Sequence, residues 1–115
     1  MKSFFKLLSC LFILFSAFAL SDELTTSPYT QIESVDAFTD FGDGDIIFDL
    51  VAKVNGCERG YWMNKNHPGY NTTMSMIIAA YQAKTRVLVR GYSQRRWTGS
   101  AGPFCQLYSI RYVPN

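Results

Sequence analysis

The chain has 115 residues, 48% of them hydrophobic, 16% aromatic and 17% charged, which suits one domain with a modest core. Its formal charge of +2 rests on Lys2 and Lys6; taking these two from eleven Lys and Arg leaves nine bases against nine acids from residue 20 onward. That balance disfavours the strongly basic surface with which a protein holds a phosphate backbone, and no nucleic-acid partner is expected.

Met1–Lys6 carries two lysines and no acid, the run from Leu7 to Phe18 is almost wholly apolar, and Ala17-Phe18-Ala19 has the form of a signal-peptidase site. Residues 1–19 are therefore expected to be an export signal, and residues 20–115 one secreted or periplasmic domain. About 13 apolar residues fall short of a roughly 30 Å hydrocarbon core, so no membrane span is expected after cleavage. Cys10 lies inside the apolar run rather than at the cut, which argues against lipid attachment. Cys57 and Cys105 then remain in an oxidising compartment, where they are expected to pair.

Leu20 to Pro28 is polar and reads as a loose N-terminal arm. From Tyr29 to Phe38 the alternation is imperfect, because Ile32 and Val35 are out of phase; this predicts a first strand with a bulge near Ser34. Thr39 to Asp45 is a glycine-rich turn. Asp45 to Val54 is a strand with Ile46, Phe48, Leu50, Ala52 and Val54 on one face. Asn55-Gly56 predicts a hairpin, with Cys57 to Met63 returning as the next strand.

Asn64 to Tyr70 reads as a loop, and Asn71 or Thr72 as the cap of a helix running to about Lys84. Met74, Ile77, Ile78 and Tyr81, flanked by Ala80, form its apolar stripe. Thr85 to Tyr92 is a strand with Val87 and Val89 facing the core. Ser93 to Pro103 is a basic and aromatic loop, and Gln106 to Val113 is a final strand with Tyr108, Ile110 and Tyr112 on one face. Eight of the nine acids lie between Asp22 and Asp49, whereas the bases after residue 20 begin at Lys53, so strands from the two halves are expected to neutralise each other. This order predicts a mainly β, α+β fold: a small curled five-stranded OB-type barrel with one helix between strands and one disulfide. The second architecture is a flatter sheet with the helix on its face.

Cys57, Gly60-Tyr61-Trp62, the helix ending at Ala83, the strand Arg86-Val-Leu-Val-Arg90 and Cys105 form a pattern covering about half of residues 20–115. In this pattern the chain resembles the OB-fold B subunits of subtilase-cytotoxin and pertussis-like toxins and related secreted proteins. The resemblance implies a ring of five subunits that binds a cell-surface sialylated glycan. The serine-containing pocket of those toxins has no matching position in this chain.

A hydrolase needs a nucleophile, a base and an orienting group within reach of one another. The chain has one histidine, His67, in a loop before Pro68, and no serine in a nucleophile-elbow context, so no catalytic residue is assigned. Glu58 and Asp49 are the carboxylates that a glycosidase pair would use, but they flank a turn. Asp40, Asp43 and Asp45 offer oxygen atoms without the spacing or closing glutamate of an EF-hand, and no metal or cofactor is expected. Arg95, Arg96 and Trp97 are the candidate ligand-binding residues: two guanidiniums beside an indole match a sugar face and a carboxylate. The alternative places Trp97 over the Cys57–Cys105 bridge. Two functions fit, a non-enzymatic glycan-binding module and an envelope domain that engages a protein partner.

Overall fold

The computed structural model describes residues 22–114; the expected export signal lies outside them. The elements are β1 (Leu24–Thr26), β2 (Ile32–Ala37), β3 (Ile46–Leu50), β4 (Gly60–Met63), α1 (Tyr70–Ala83), β5 (Val87–Arg96) and β6 (Phe104–Tyr112). The six strands form one mixed sheet in the order β1-β5-β6-β4-β3-β2, open in its pairing, with β4 and β6 parallel and every other pair antiparallel. Among the described residues the fold is mainly β, with one helix and one disulfide.

Six strands replace the expected five because the N-terminal arm is itself paired. Leu24, Thr25 and Thr26 lie opposite Tyr92, Gly91 and Arg90 of β5. The chain then bridges once more to β5, through Thr30 and Val87 in both directions at 2.9 and 2.8 Å, before turning onto β3. Backbone pairing explains how a segment short of apolar residues becomes ordered. The register shift between Ile32 and Ser34 is the bulge foreseen near Ser34, and it lets both Ile32 and Val35 face the core.

Core positions on β3 alternate as expected, with Ile46, Phe48 and Leu50 buried, but the strand stops at Leu50. Asn55-Gly56 does form a turn, closed by the Cys57 amide on the Val54 carbonyl at 2.9 Å. That turn lies inside a long connection, 51–59, rather than between paired residues. β4 starts at Gly60, with φ +127, where a Cβ would sit 2.2 Å from the Phe48 carbonyl oxygen. On β5, Val87 and Val89 are fully buried. On β6 the expected alternation breaks: Gly91 pairs Leu107 whereas Arg90 pairs Ser109, so Leu107 and Ile110 both reach the core and Tyr108 stands outside.

The helix begins two or three residues earlier than expected, with Gly69 rather than Asn71 or Thr72 at its N-cap, and is closed by Lys84 in the left-handed region (φ 54). Thr85 N–H donates to the Ala80 carbonyl there, at 2.9 Å. Its buried seam is Ile77 and Ala80, with Tyr70 and Met74 packed alongside. Ile78 and Tyr81, assigned to that seam from their spacing, are 51% and 40% exposed.

The disulfide Cys57–Cys105 joins the 51–59 connection to the start of β6, with Cα atoms 5.4 Å apart and both residues buried. Thr25 of β1 places its hydroxyl 3.2 Å from Cys57 Sγ. Next to the bridge, the ring of Tyr61 stacks on Phe48 at 5.4 Å and fills the space left by Gly91. The Tyr61 hydroxyl is buried without a protein partner among the described residues, and burial pushes its pKa up to about 12. An unpaired buried hydroxyl costs roughly 1–3 kcal/mol. Tyr61→Phe is therefore expected to be as stable as the parent or more so, by up to about 1 kcal/mol. A clearly lower urea midpoint for the variant would show that the hydroxyl contributes to stability.

Candidate functional site

The site follows from the alternation of the strands. Asp36, Ile47, Trp62, Gln106, Tyr92 and Leu24 are successive cross-strand partners, so their side chains form one row across all six strands. All six are exposed or half-buried, which fixes this as the outer face of the sheet. Members of the row help line two depressions, Asp36 and Ile47 the first and Tyr92 and Gln106 the second.

The first is a trough of about 450 Å³, lined by Ser34, Asp36, Ile47, Phe48, Asp49, Lys53, Glu58, Arg59 and Phe104. It lies where Gly60 adds no side chain between Asp49 and Phe104. Asp49 and Glu58 therefore border the same trough, but Asp49 favours its ionised form and is not the proton donor that a glycosidase acid must be. Burial alone would push its carboxyl up; hydrogen bonds from Ser34 Oγ (2.6 Å) and Lys53 Nζ (3.2 Å) outweigh burial and hold it below the usual carboxylate range. The Glu58 carboxylate accepts the Gly56 amide.

The second depression, about 220 Å³, is lined by Met63, His67, Pro68, Gly69, Tyr70, Thr73, Tyr92, Gln106, Leu107 and Tyr108. It is smaller than the roughly 300–1,000 Å³ of pockets that enclose a drug-sized ligand, and suits a single ring. Tyr92 and Tyr108 meet edge to face at 5.3 Å, and Tyr108 is 48% exposed. Arg95 lies 4.0 Å over the Tyr92 ring and Arg90 5.1 Å over the Tyr108 ring. Trp62 Nε1 donates to the Arg95 carbonyl at 3.0 Å, and the His67 ring sits 5.4 Å from the Trp62 ring.

The candidate triplet is divided by this geometry. β5 runs through Arg96, which pairs Cys105, so Arg95 and Arg96 stand on a strand rather than a flexible loop. Arg95 is held by Tyr92 and by an ion pair with Asp22, and Arg96 is exposed. Trp97 turns inward and is 7% exposed. Its Nε1 donates to the buried Asp45 carboxylate at 2.8 Å, and its ring packs on Phe104 (5.2 Å), Phe38 and Phe41 (both 5.7 Å). The acidic turn thus anchors an indole through Asp45, and Asp43 accepts from Asn66 Nδ2 at 2.6 Å. No group of three or more potential metal ligands occurs among the described residues. Sequence reasoning passed over Tyr92 and Tyr108. The bulge at Tyr108 hides the outer face from a simple period-two reading, although Tyr92 alternates with Val87 and Val89 in plain view.

No family model, curated protein or solved structure matches the chain.

The surroundings of His67 favour its neutral form. Burial lowers its pKa, the Asp45 charge opposes that and the Arg95 charge adds to it, for a net shift below the usual value of 6.5. Nδ1 accepts the Asn64 amide at 3.3 Å, which assigns the proton of the neutral ring to Nε2. Between the depressed native pKa and 6.5 the unfolded chain binds more protons than the folded one. Stability therefore falls as the pH is lowered through about 6.5 and levels off below the native pKa. Urea midpoints at about pH 7.5 and 5.5 should differ more for the parent than for His67→Gln; equal differences would remove His67 as the cause.

Proposed function

We propose that the chain is an exported, non-enzymatic module that binds a glycan on the outer face of its sheet. The observation that carries this reading is the Trp62–Gln106–Tyr92 row with Tyr108 beside it. Aromatic faces stack on the C–H faces of sugar rings, and the Gln106 amide and the His67 Nε2 proton supply directed hydrogen bonds.

The pairing of strands supports a finer fold reading as well. If β1 and β2 are counted as one bent strand, both margins of the sheet belong to a single segment, and the Thr30–Val87 bridge links them as in an OB-type barrel. In such barrels the face of strands two and three and the flanking loops hold oligosaccharides and oligonucleotides. Here those elements are β3, β4 and the connections 38–45 and 97–103, which meet at Asp45 and Trp97. The resemblance to toxin B subunits adds the expectation of a pentamer. The buried disulfide favours a secreted or periplasmic location.

A glycan array probed with oxidised protein tests the reading, with Tyr108→Ala as the variant. Retained folding with a loss of roughly five- to thirtyfold in affinity is expected, because one stacking ring contributes on the order of 1–2 kcal/mol. Undiminished binding by Tyr108→Ala sinks the proposed site. Mass in solution tests the pentamer separately.

A protein partner is the second reading, and Phe38 and Phe41 favour it. They are 36% and 46% exposed over Trp97, an apolar knob beside the trough. Loss of a co-purifying partner in Phe41→Ser, with glycan binding absent throughout, would decide for that role.

A further inference from the structure

We infer that the glycan site continues past Tyr108 along the outer face of β5 and β6, and that its ligand is an acidic polysaccharide bearing carboxylates at intervals. The inference rests on the glycan reading above and adds the charge and the polymeric character of the ligand.

Arg86, Arg90 and Arg111 carry it. Arg90 pairs Ser109 and Leu88 pairs Arg111, so Arg90 and Arg111 are diagonal neighbours on adjacent strands. Arg86 continues the outward alternation of Leu88 and Arg90. All three are exposed, and none has a carboxylate within ion-pair distance among the described residues. The ion pairs there join Lys53 to Glu33 and Asp49, and Arg95 to Asp22. The charge segregation of the sequence is thus cancelled at those contacts and left standing on this part of the sheet. Asp36 and Asp49 belong to β2 and β3, with β4 and β6 between β3 and β5 in the strand order, and Glu33, which lies near the start of β5 across the Thr30–Val87 bridge, is taken up by Lys53.

Like charges at neighbouring sheet positions repel one another, and a bound anion relieves that repulsion. Arg90 is also preoriented: its Nε donates to Ser109 Oγ at 3.1 Å and its guanidinium lies over Tyr108, which leaves the terminal N–H groups for a carboxylate. Arg86, the residue before β5, and Arg90 are four residues apart, about 13 Å for extended backbone at roughly 3.3 Å per residue. That interval matches charges repeated along a polymer better than one terminal acidic sugar.

The test measures binding of the oxidised protein to polygalacturonate and to uncharged dextran at low and high salt. Polygalacturonate is expected to bind, more weakly as salt rises, and dextran to bind far less. Arg90→Gln/Arg111→Gln should lower affinity for polygalacturonate by roughly tenfold or more at an unchanged melting temperature. Lys84→Asn, which removes a charge at the helix end, should leave it unchanged. Unchanged affinity in the double arginine variant overturns the inference, as does an equal loss in Lys84→Asn. Equally tight binding of a single-stranded oligodeoxynucleotide overturns it too, since the face would then be a generic polyanion surface. If a neutral glycan binds through Tyr108 and polygalacturonate does not, the inference fails and the glycan reading stands; if neither binds, both fail.

Discussion

Removal of the Cys57–Cys105 bridge is expected to lower the free energy of unfolding by about 4 kcal/mol, the chain-entropy value for a loop of this length. The two cysteines are 48 positions apart, so the reduced denatured chain regains the freedom of nearly half the sequence. A small domain has only about 5–15 kcal/mol in total, so the loss is a large part of what holds the fold. The double variant Cys57→Ser/Cys105→Ser should unfold at a much lower urea concentration than the oxidised parent, and the parent with reductant should match the variant. Coincident curves for oxidised and reduced protein would mean that β6 and the 51–59 connection are held by packing alone. The hydroxyl of Thr25 near Cys57 Sγ makes β1 the first element expected to loosen.

Trp97→Ala is the second large effect, with an expected loss of about 3–5 kcal/mol. The indole fills the space among Phe38, Phe41 and Phe104, and its N–H satisfies a carboxylate that is 3% exposed. Trp97→Phe keeps most of the packing but leaves the Asp45 oxygen without that donor, and should lose roughly 1–3 kcal/mol. Asp45→Asn should lose less than Trp97→Phe, because an amide oxygen can still accept from the indole. Thermal melts of the three variants give the order directly. A Trp97→Ala protein as stable as the parent would reopen Trp97 as a surface ligand-binding residue.

Trp97 also shows where sequence reasoning stops. Arg-Arg-Trp followed by Thr-Gly-Ser-Ala-Gly-Pro has the composition of a solvent loop. Nothing local reveals that an aspartate 52 residues earlier accepts from the indole. The opposite holds for Val87 and Val89, whose strict alternation needs no partner to be understood. Helix α1 lies between these cases. Its existence and its end at Lys84 follow from composition and periodicity, yet Ile78 and Tyr81 are exposed, because one narrow seam of the helix meets the sheet. On the outer face of the sheet, Arg95 was visible as a cation but its place on Tyr92 was not. That depends on β5 continuing four residues beyond Tyr92 and on pairing with β6, whose bulge reverses parity at Tyr108. Bulges and long-range acceptors are tertiary choices, and a single sequence carries little trace of them.

The short run between Thr26 and Ile32 has one more consequence. It joins the strand at one margin of the sheet to the strand at the other. A single proteolytic cut there would release both margins from mutual restraint, and loss of the N-terminal fragment would bare the hydrogen-bonding edge of β5 along Arg90, Gly91 and Tyr92. An uncovered edge next to buried valines recruits strands from other molecules. Nicked protein should therefore precipitate under conditions in which the intact chain stays dissolved, and Pro28, which has no amide proton to donate, stands inside that vulnerable run.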